Sequence, residues 1–244
     1  MFVAAVSMYN NRMQAESIEV RTEIPIFPLA TVLFPGAILP LHIFEDRYKE
    51  MMKYAIENQG QFGLSYRPDA AIGLETPPAV GSAGCAAKIS AVMPLEQGRM
   101  NVISTGLIRY RIVEVKQSAP FVIAVIEPFS DDPEPHADLS RLQKDTGELA
   151  GQFLNALQAL NDSSTPEQFE LPEDPETFSL SVASALPIDN ETKQALLETT
   201  STRLRLTRLR HFLVGSLSNL NQRLIKHERA KGNGHSHLHK SGIG

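Results

Sequence analysis

Tryptophan is absent from this 244-residue chain, and cysteine occurs once, as Cys85. A single thiol excludes an internal disulfide framework and any zinc site built from several cysteines. No hydrophobic run approaches the ~20 residues that a membrane-spanning helix requires. The apolar start covers only residues 2–6, with no basic residue before it, which makes a poor secretory signal. These absences predict a soluble protein of a reducing, cytoplasmic compartment. Two nucleotide signatures are missing as well, the phosphate-gripping G-x-x-x-x-G-K-[ST] and the dinucleotide fingerprint G-x-G-x-x-G. The closest approach to a nucleophilic serine is Gly81-Ser82-Ala83-Gly84, but Val80 stands where the elbow needs its first glycine. That segment reads as a loop entering the strand that holds Cys85, itself a small residue among Ala and Gly and a candidate for burial.

Basic residues are also scarce over most of the chain. Residues 201–244 carry nine Lys/Arg against Glu228 alone, which leaves 14 basic and 27 acidic residues in the first 200. Arg203, Arg205, Arg208 and Arg210 surround the start of a leucine stripe and are candidates for gripping phosphate. The competing expectation is internal neutralisation, because residues 131–176 hold 12 acidic side chains against Arg141 and Lys144. No aromatic side chain is interleaved with the arginines, which weakens a single-strand stacking role. An antiparallel pair of long helices would neutralise both regions, and that is the expectation favoured here.

The length suits one large domain or two small ones. Residues 1–23 are unpatterned and read as a flexible N-terminal arm, in which Met8 or Met13 serves equally as a start. From residue 24 to 130 the text is β-rich. Strands are expected at 24–29, 38–43, 62–66, 85–93, 100–105, 107–115 and 121–127, with a hairpin turn at Gln97-Gly98. Pro25, Pro28, Pro35 and Pro40 cannot donate ladder hydrogen bonds and belong at edges, bulges or corners, which favours a small barrel over a flat sheet. One helix interrupts this region. Phe44, Tyr48, Met51, Met52, Ala55 and Ile56 form its expected buried stripe, and Asn58-Gln59-Gly60 ends it.

Residues 131–230 read as a helical lobe. Leu139, Leu142, Thr146, Leu149, Phe153, Leu157 and Leu160 make one stripe, capped by Asp138. A Pro/Ser/Asp/Glu connector follows, then a short helix near 176–186, another opened by Asp189, and a long helix over about 200–229. The last buries Leu206, Leu209, Leu213, Leu217, Leu220 and Leu224. Residues 231–244 form a His-containing tail expected to be disordered.

The search for chemistry returns no catalytic, cofactor-binding or metal-binding residue, and leaves any binding residues unassigned. His42 reads as a core or edge residue, His211 lies off the leucine stripe, and His136 and His227 look solvated. His235, His237 and His239 alternate but have no carboxylate or cysteine near them to complete a coordination shell. Acidic residues are plentiful, yet no pair shares a predicted face at a spacing suited to acid–base work.

Four segments carry a family resemblance. Ile26-Phe27-Pro28-Leu29 through Phe34-Pro35-Gly36 to Pro40-Leu41-His42-Ile43-Phe44 resembles the opening of the N-terminal substrate-recognition domain of Lon proteases. Val80-Gly81-Ser82 leading to Ala87-Lys88-Ile89 is similar to a later element of that domain, as is Thr105-Gly106-Leu107-Ile108-Arg109-Tyr110-Arg111-Ile112. Ala185-Leu186-Pro187-Ile188, followed by Glu191-Thr192-Lys193-Gln194-Ala195-Leu196-Leu197-Glu198, resembles its helical part. The match spans about residues 24–225. It implies an α+β fold, a PUA-like β pseudobarrel lobe followed by a helical bundle lobe. In Lon enzymes an ATPase module and a Ser–Lys protease module follow, and this 244-residue sequence carries neither. Zero Trp and one Cys exclude the family's fusions to a tryptophan-cage drug-binding module or a RING finger. Pro28, Pro35 and Pro40 are expected to shape corners, Gly36 a tight turn, Gly106 a strand bend and Arg109 a cross-strand charge pair.

The expected function is therefore a non-catalytic polypeptide-binding module, a protein quality-control adaptor without ATPase or peptidase activity. Its expected partners are unfolded polypeptides or a protein partner such as a Lon-type protease. It would offer sheet edges and an apolar groove between lobes, with Met51, Met93 and Met100 as adaptable contacts. The alternative is an RNA- or other anion-binding PUA-like module using the basic C-terminal helix, a reading by fold analogy.

Overall fold

Proline placement explains how the sheet closes. A computed structural model of the protein describes residues 20–69, 77–160 and 172–234. The strands are β1 (Thr22–Leu29), β2 (Ile38–Ile43), β3 (Gln61–Tyr66), β4 (Ala83–Pro94), β5 (Met100–Gln117) and β6 (Val122–Pro128). They pair in the order β2-β5-β4-β3-β1-β6, and a further β5–β6 pairing closes the strands on themselves. β1 changes partner at Ile26: Thr22–Ile26 lies against β6 and Ile26–Leu29 lies against β3. Pro25 and Pro28 fall one in each half, so each has a neighbour on one side only, and the missing N–H faces the other. Pro40 sits on β2, whose only strand partner among the described residues is β5.

β5 is a single 18-residue strand where two strands are expected from the sequence. Its pairing with β4 shifts register between Ala86 and Ala87, opposite Gly106 and Ile108. This bulge is the bend expected at Gly106. Gly36, at φ 76°, turns the preceding loop, and its N–H donates to the Gly106 carbonyl at 2.8 Å. A Cβ on Gly106 would overlap the Phe34 carbonyl, so the loop can lie on the strand only because no side chain is there.

Helix α1 (Asp46–Glu57) buries Met51, Met52 and Ala55 against Phe27, Phe62, Leu64, Cys85, Val102 and Ile43. Two residues of its expected stripe depart from this. Phe44 precedes the helix at the end of β2, where strand alternation turns it outward beside the buried Ile43, and it is 59% exposed. Ile56, one position past Ala55, has rotated off the buried face. A second cluster, Ile24, Ile26, Ala86, Tyr110, Ile112, Val122, Ala124 and Ile126, fills the other face of the sheet. Tyr110 is buried there and donates to the Leu64 carbonyl at 3.1 Å.

The remaining helices are α2 (His136–Leu160), α3 (Pro175–Ala185), α4 (Asn190–Glu198) and α5 (Thr202–Gly234). Asp174 caps α3 through the Thr177 N–H at 2.8 Å, and Asp189 caps α4 through the Thr192 N–H at 2.7 Å. α2 begins at His136, ahead of the cap expected at Asp138. The residues gather into two compact units. One runs to Pro133 and resumes at Phe169–Thr202, and the other joins Glu134–Gln168 to the chain from Arg203. A cut after residue 130 places α3 and α4 with the helical lobe, whereas here they group with the sheet. Polar links join α4 to the sheet: Arg109 on β5 donates to the Leu197 carbonyl and Gln194 on α4 donates to the Ala83 carbonyl, each at 3.0 Å.

In the second unit, α2 buries Leu139, Thr146, Ala150 and Phe153, while α5 buries Leu206, Leu209, Leu213, Leu217 and Leu220. The side chain of Leu224, expected on the same stripe, lies outside the described residues.

Candidate functional site

Two polar or apolar groupings stand out in the sheet-bearing unit, at opposite ends of the β4–β5 ribbon. The inner one centres on Arg109, whose side chain is 1% exposed. Its guanidinium donates to Asp131 Oδ1 and Glu176 Oε1, each at 2.6 Å, and to the carbonyls of Leu197 at 3.0 Å and Thr199 at 2.8 Å. Its Cζ also lies 4.6 Å from the centroid of the Phe129 ring. Asp131 accepts further from the Thr202 hydroxyl, and its own N–H donates to Glu176 Oε2 at 3.2 Å. The expected cross-strand charge pair is therefore a different object. The residue opposite Arg109 on β4 is Cys85, so no strand charge is available, and the partners come from the segment after β6 and the first turn of α3. A fork with this many acceptors is structural: its donors are spent on tying strand to helices. Tyr66 donates to Glu191 Oε1 at 2.7 Å, and Asn190 donates to the Ala30 carbonyl at 2.9 Å, adding two links from α4. Burial and the Glu191 carboxylate push the Tyr66 hydroxyl up to about 12.

The outer grouping is apolar and exposed. Beyond Ile89, β4 and β5 continue as a hairpin turned at Gln97 and Gly98, at φ 61° and 69°. Register places Pro40, Ile103 and Ala91 in one row across β2, β5 and β4, and His42, Asn101 and Met93 in the next. Residues directly opposite share a face, so these six lie together. Phe44 stacks on His42 with centroids 5.9 Å apart, and His42 Nδ1 lies 2.8 Å from Asn101 Oδ1. Met93 is 46% and Leu95 40% exposed. The opposite face carries Leu39, Leu41, Ile43, Val102 and Met100, packed with α1. Lys49 of α1 donates to the Gln97 carbonyl at 3.1 Å and so holds the hairpin tip. The result is a braced β platform with one apolar side in solvent, the kind of surface that marks interaction sites.

The residues singled out in the sequence distribute as follows. Of the three methionines, Met51 is buried, Met100 is half-buried against the core, and Met93 alone is exposed on the platform. Cys85 is buried, and burial pushes its thiol well above the ordinary range. Ser82 sits in a turn whose backbone bonds to Ile112 of β5, with no nucleophile geometry around it. His42 lies on the edge strand, exposed, and His211 is exposed on α5 away from the leucines. The side chains of His136 and His227, and all of residues 235–244, lie outside the described residues.

The four arginines of α5 separate. Arg205 is buried, Arg203 pairs with Glu134 at 3.4 Å, and Arg208 and Arg210 are exposed. Asp131 and Glu176, counted among the acids that could neutralise them, turn instead to Arg109. Among the described residues no group of three or more His, Cys, Asp or Glu is placed to hold a metal ion. Also among them, no helix is long and apolar enough to cross a membrane.

Sequence reasoning missed Phe44 and Leu95 as surface residues. For Leu95 the available signal was Ala91-Val92-Met93-Pro94-Leu95, in which both alternating sets are apolar ahead of a turn. A hairpin tip with two apolar sides cannot bury both.

Comparison with known proteins agrees with this architecture. A family model described as the ATP-dependent protease La (LON) substrate-binding domain matches residues 23–215. The Lon protease of Koribacter versatilis is 27% identical over 205 residues, which are 83% of this chain and 25% of that protein. Lon protease 1 of Bacillus subtilis is 22% identical, over 80% of this chain and 25% of its own length. The chain thus spans about a quarter of these curated relatives. Among solved structures, the N-terminal domain of Mycobacterium avium complex Lon protease superposes with a TM-score of 0.58 at 20% identity, covering 81% of this chain and 98% of that one. A Lon N-terminal domain protein from Xanthomonas campestris gives 0.53 at 24% identity, covering 77% and 96%.

Proposed function

This chain belongs to the LON substrate-binding domain family, and from that premise we propose that it is a non-catalytic polypeptide-binding module that captures unfolded segments on the outer face of its β2–β5–β4 platform. The observation that carries the reading is the row in which exposed Phe44, His42 and Met93 flank half-buried Asn101, bordered by Pro40, Ile103, Ala91 and Leu95. A platform of this kind suits partners of varied sequence. Its outer contacts, Phe44, Met93 and Leu95, are apolar and shape-tolerant around the mutually bonded His42–Asn101 pair, and Met93 can adopt several rotamers against different side chains. Its rigidity comes from α1, so little order has to be gained on binding. The partner would be an unfolded polypeptide, delivered to or held for a Lon-type protease, in the cytoplasm. The chain would act as a quality-control adaptor and cleave nothing itself.

The test is fluorescence anisotropy of a labelled, permanently unfolded polypeptide, titrated at low and high salt. Saturable binding that survives salt, and weakens about tenfold in a Phe44→Ser, Met93→Asp double variant, is the expected outcome. Absence of saturable binding at tens of micromolar protein sinks the reading. Peptide cleavage or ATP hydrolysis above a buffer control would sink the non-catalytic part of it.

A second reading, an RNA- or anion-binding PUA-like module, rests on the exposed Arg208 and Arg210 of α5. Burial of Arg205 and the Arg203–Glu134 pair reduce the cationic surface on which it depends. Phosphate contacts lose affinity steeply as salt rises, so the same titration with RNA separates the two.

A further inference from the structure

Resting on the polypeptide-capture reading, we infer that the captured segment is held as an added β-strand on the free edge of β4 between Ser90 and Pro94. β3 pairs with β4 only through Gly84–Lys88, and the last link is the Ile89 N–H donating to the Gly60 carbonyl at 2.8 Å. The turn at 58–60 then leads the chain back to α1. From Ser90 onward β5 is the only strand beside β4 among the described residues.

The ladder fixes which backbone groups face outward. The Leu95 N–H donates to the Arg99 carbonyl at 2.8 Å. In an antiparallel pair hydrogen-bonded and non-hydrogen-bonded positions alternate, so Met93↔Asn101 and Ala91↔Ile103 bond across to β5, while Val92 and Pro94 direct their backbone groups away. Val92 therefore offers an N–H and a carbonyl at the edge, and Pro94 offers a second carbonyl.

The sheet's other free edge contrasts with this one. On β2 the same alternation sends the groups of Ile38, Pro40 and His42 outward, and the central one has no N–H to give. Proline thus interrupts that edge at its centre, leaving the Ile38 and His42 donors on either side of the gap. The β4 edge carries no charged side chain from Ser90 to Leu95; Pro94 withholds one donor there and a bulge lies between Ile89 and Ala91, so what the edge offers is the Val92 N–H with the Val92 and Pro94 carbonyls.

These features name the occupant. An outward N–H and carbonyl on one residue are matched by another main chain, which requires an extended segment and no particular sequence. Met93 and Val92, 46% and 36% exposed, lie on opposite faces of β4. An added strand thus meets an apolar neighbour with each of its alternating side chains. Uncharged apolar residues are favoured at alternate positions, and the short edge keeps the hold reversible.

The experiment uses a labelled, end-capped octapeptide of alternating threonine and valine between terminal lysines, an analogue N-methylated on every threonine and valine so that neither edge can donate, and an unfolded full-length polypeptide. Anisotropy gives the affinities, and amide exchange by NMR follows the Val92 N–H. The parent peptide is expected to bind at least about tenfold more tightly than the methylated one. Both the parent and the unfolded polypeptide are expected to slow Val92 exchange. Val92→Pro removes the outward donor without a ladder bond to β5 and is expected to weaken the parent peptide alone. Because the methylation comparison uses the unaltered protein, it stands even where that variant fails to fold. Equal affinity for the two peptides, or polypeptide binding that leaves Val92 exchange unchanged, overturns the added strand and leaves side-chain capture standing. Failure of every probe to bind overturns both readings.

Discussion

One ribbon, β4–β5, ends in two opposite ways. At its inner end Ala83–Ala87 and Arg109–Tyr110 are buried, the two terminal nitrogens of the Arg109 fork donate to two carboxylates and two carbonyls, and its Cζ lies over the Phe129 ring. At its outer end residues 90–98 are all exposed, and Val92, Met93 and Leu95 face solvent with no polar partner to require. The chemistry is inverted from its usual placement: charge is inside and grease is outside. A buried ion pair is weak evidence of stability, since desolvation offsets most of its attraction, but losing one member leaves the others stranded. An exposed apolar tip contributes little to folding and is available for binding. The inner end therefore supports the fold, and the outer end is the part that can act on something else.

The sharpest way to break this comparison is Arg109→Met. It strands Asp131 and Glu176, and a loss of about 3–5 kcal/mol is expected in chemical denaturation. Arg109→Lys should recover only part of this, because an ammonium cannot fork towards two carboxylates and two carbonyls. In the second unit, Leu213→Ala should cost about 2–5 kcal/mol by opening a cavity, against about 0.5 or less for the exposed neighbour Val214→Ala. Removing the α4 cap with Asp189→Ala should cost about 1 kcal/mol. At the outer end the order reverses. Met93→Asp should change stability by no more than about 0.5 kcal/mol in the same denaturation, while weakening capture of an unfolded polypeptide about tenfold by anisotropy. The smallest effect belongs to Arg208→Glu with Arg210→Glu, for which polypeptide affinity is expected to be unchanged. A loss there, restored at no salt concentration, would move the binding face from β4–β5 to α5.

Much of the fold is legible in the chain. Strand periods, the Gln97-Gly98 turn, the capping Asp189 and the leucine stripe of α5 all rest on local rules, and local geometry enforces them. The merging of 100–105 and 107–115 into one strand was hidden, because Gly106 looks like a break and serves instead as a bulge under the Phe34 loop. Phe44 misled for a related reason. Its spacing to Tyr48 fits a helix, but the helix starts at Asp46, and Phe44 directly follows β2, on the opposite side from the buried Ile43. Arg205 is the counterpart on α5: by spacing it belonged with the exposed arginines, yet it is buried.

The sequence by itself determined most of the elements, the Asp189 cap and the Gln97-Gly98 turn, the family, and the want of a recognisable catalytic motif. Each of these depends on residues close together in the chain or on a pattern carried along it. Only the tertiary structure decided the fate of each charge and each apolar side chain. Arg109 meets Asp131, Glu176, Leu197 and Thr199 from 22 to 90 residues away. Among the described residues no strand borders the outer edge of Val92, because β3 starts at Gln61, where the turn after α1 delivers it. Burial and edge exposure are properties of what packs alongside, and no local rule states which neighbour will arrive.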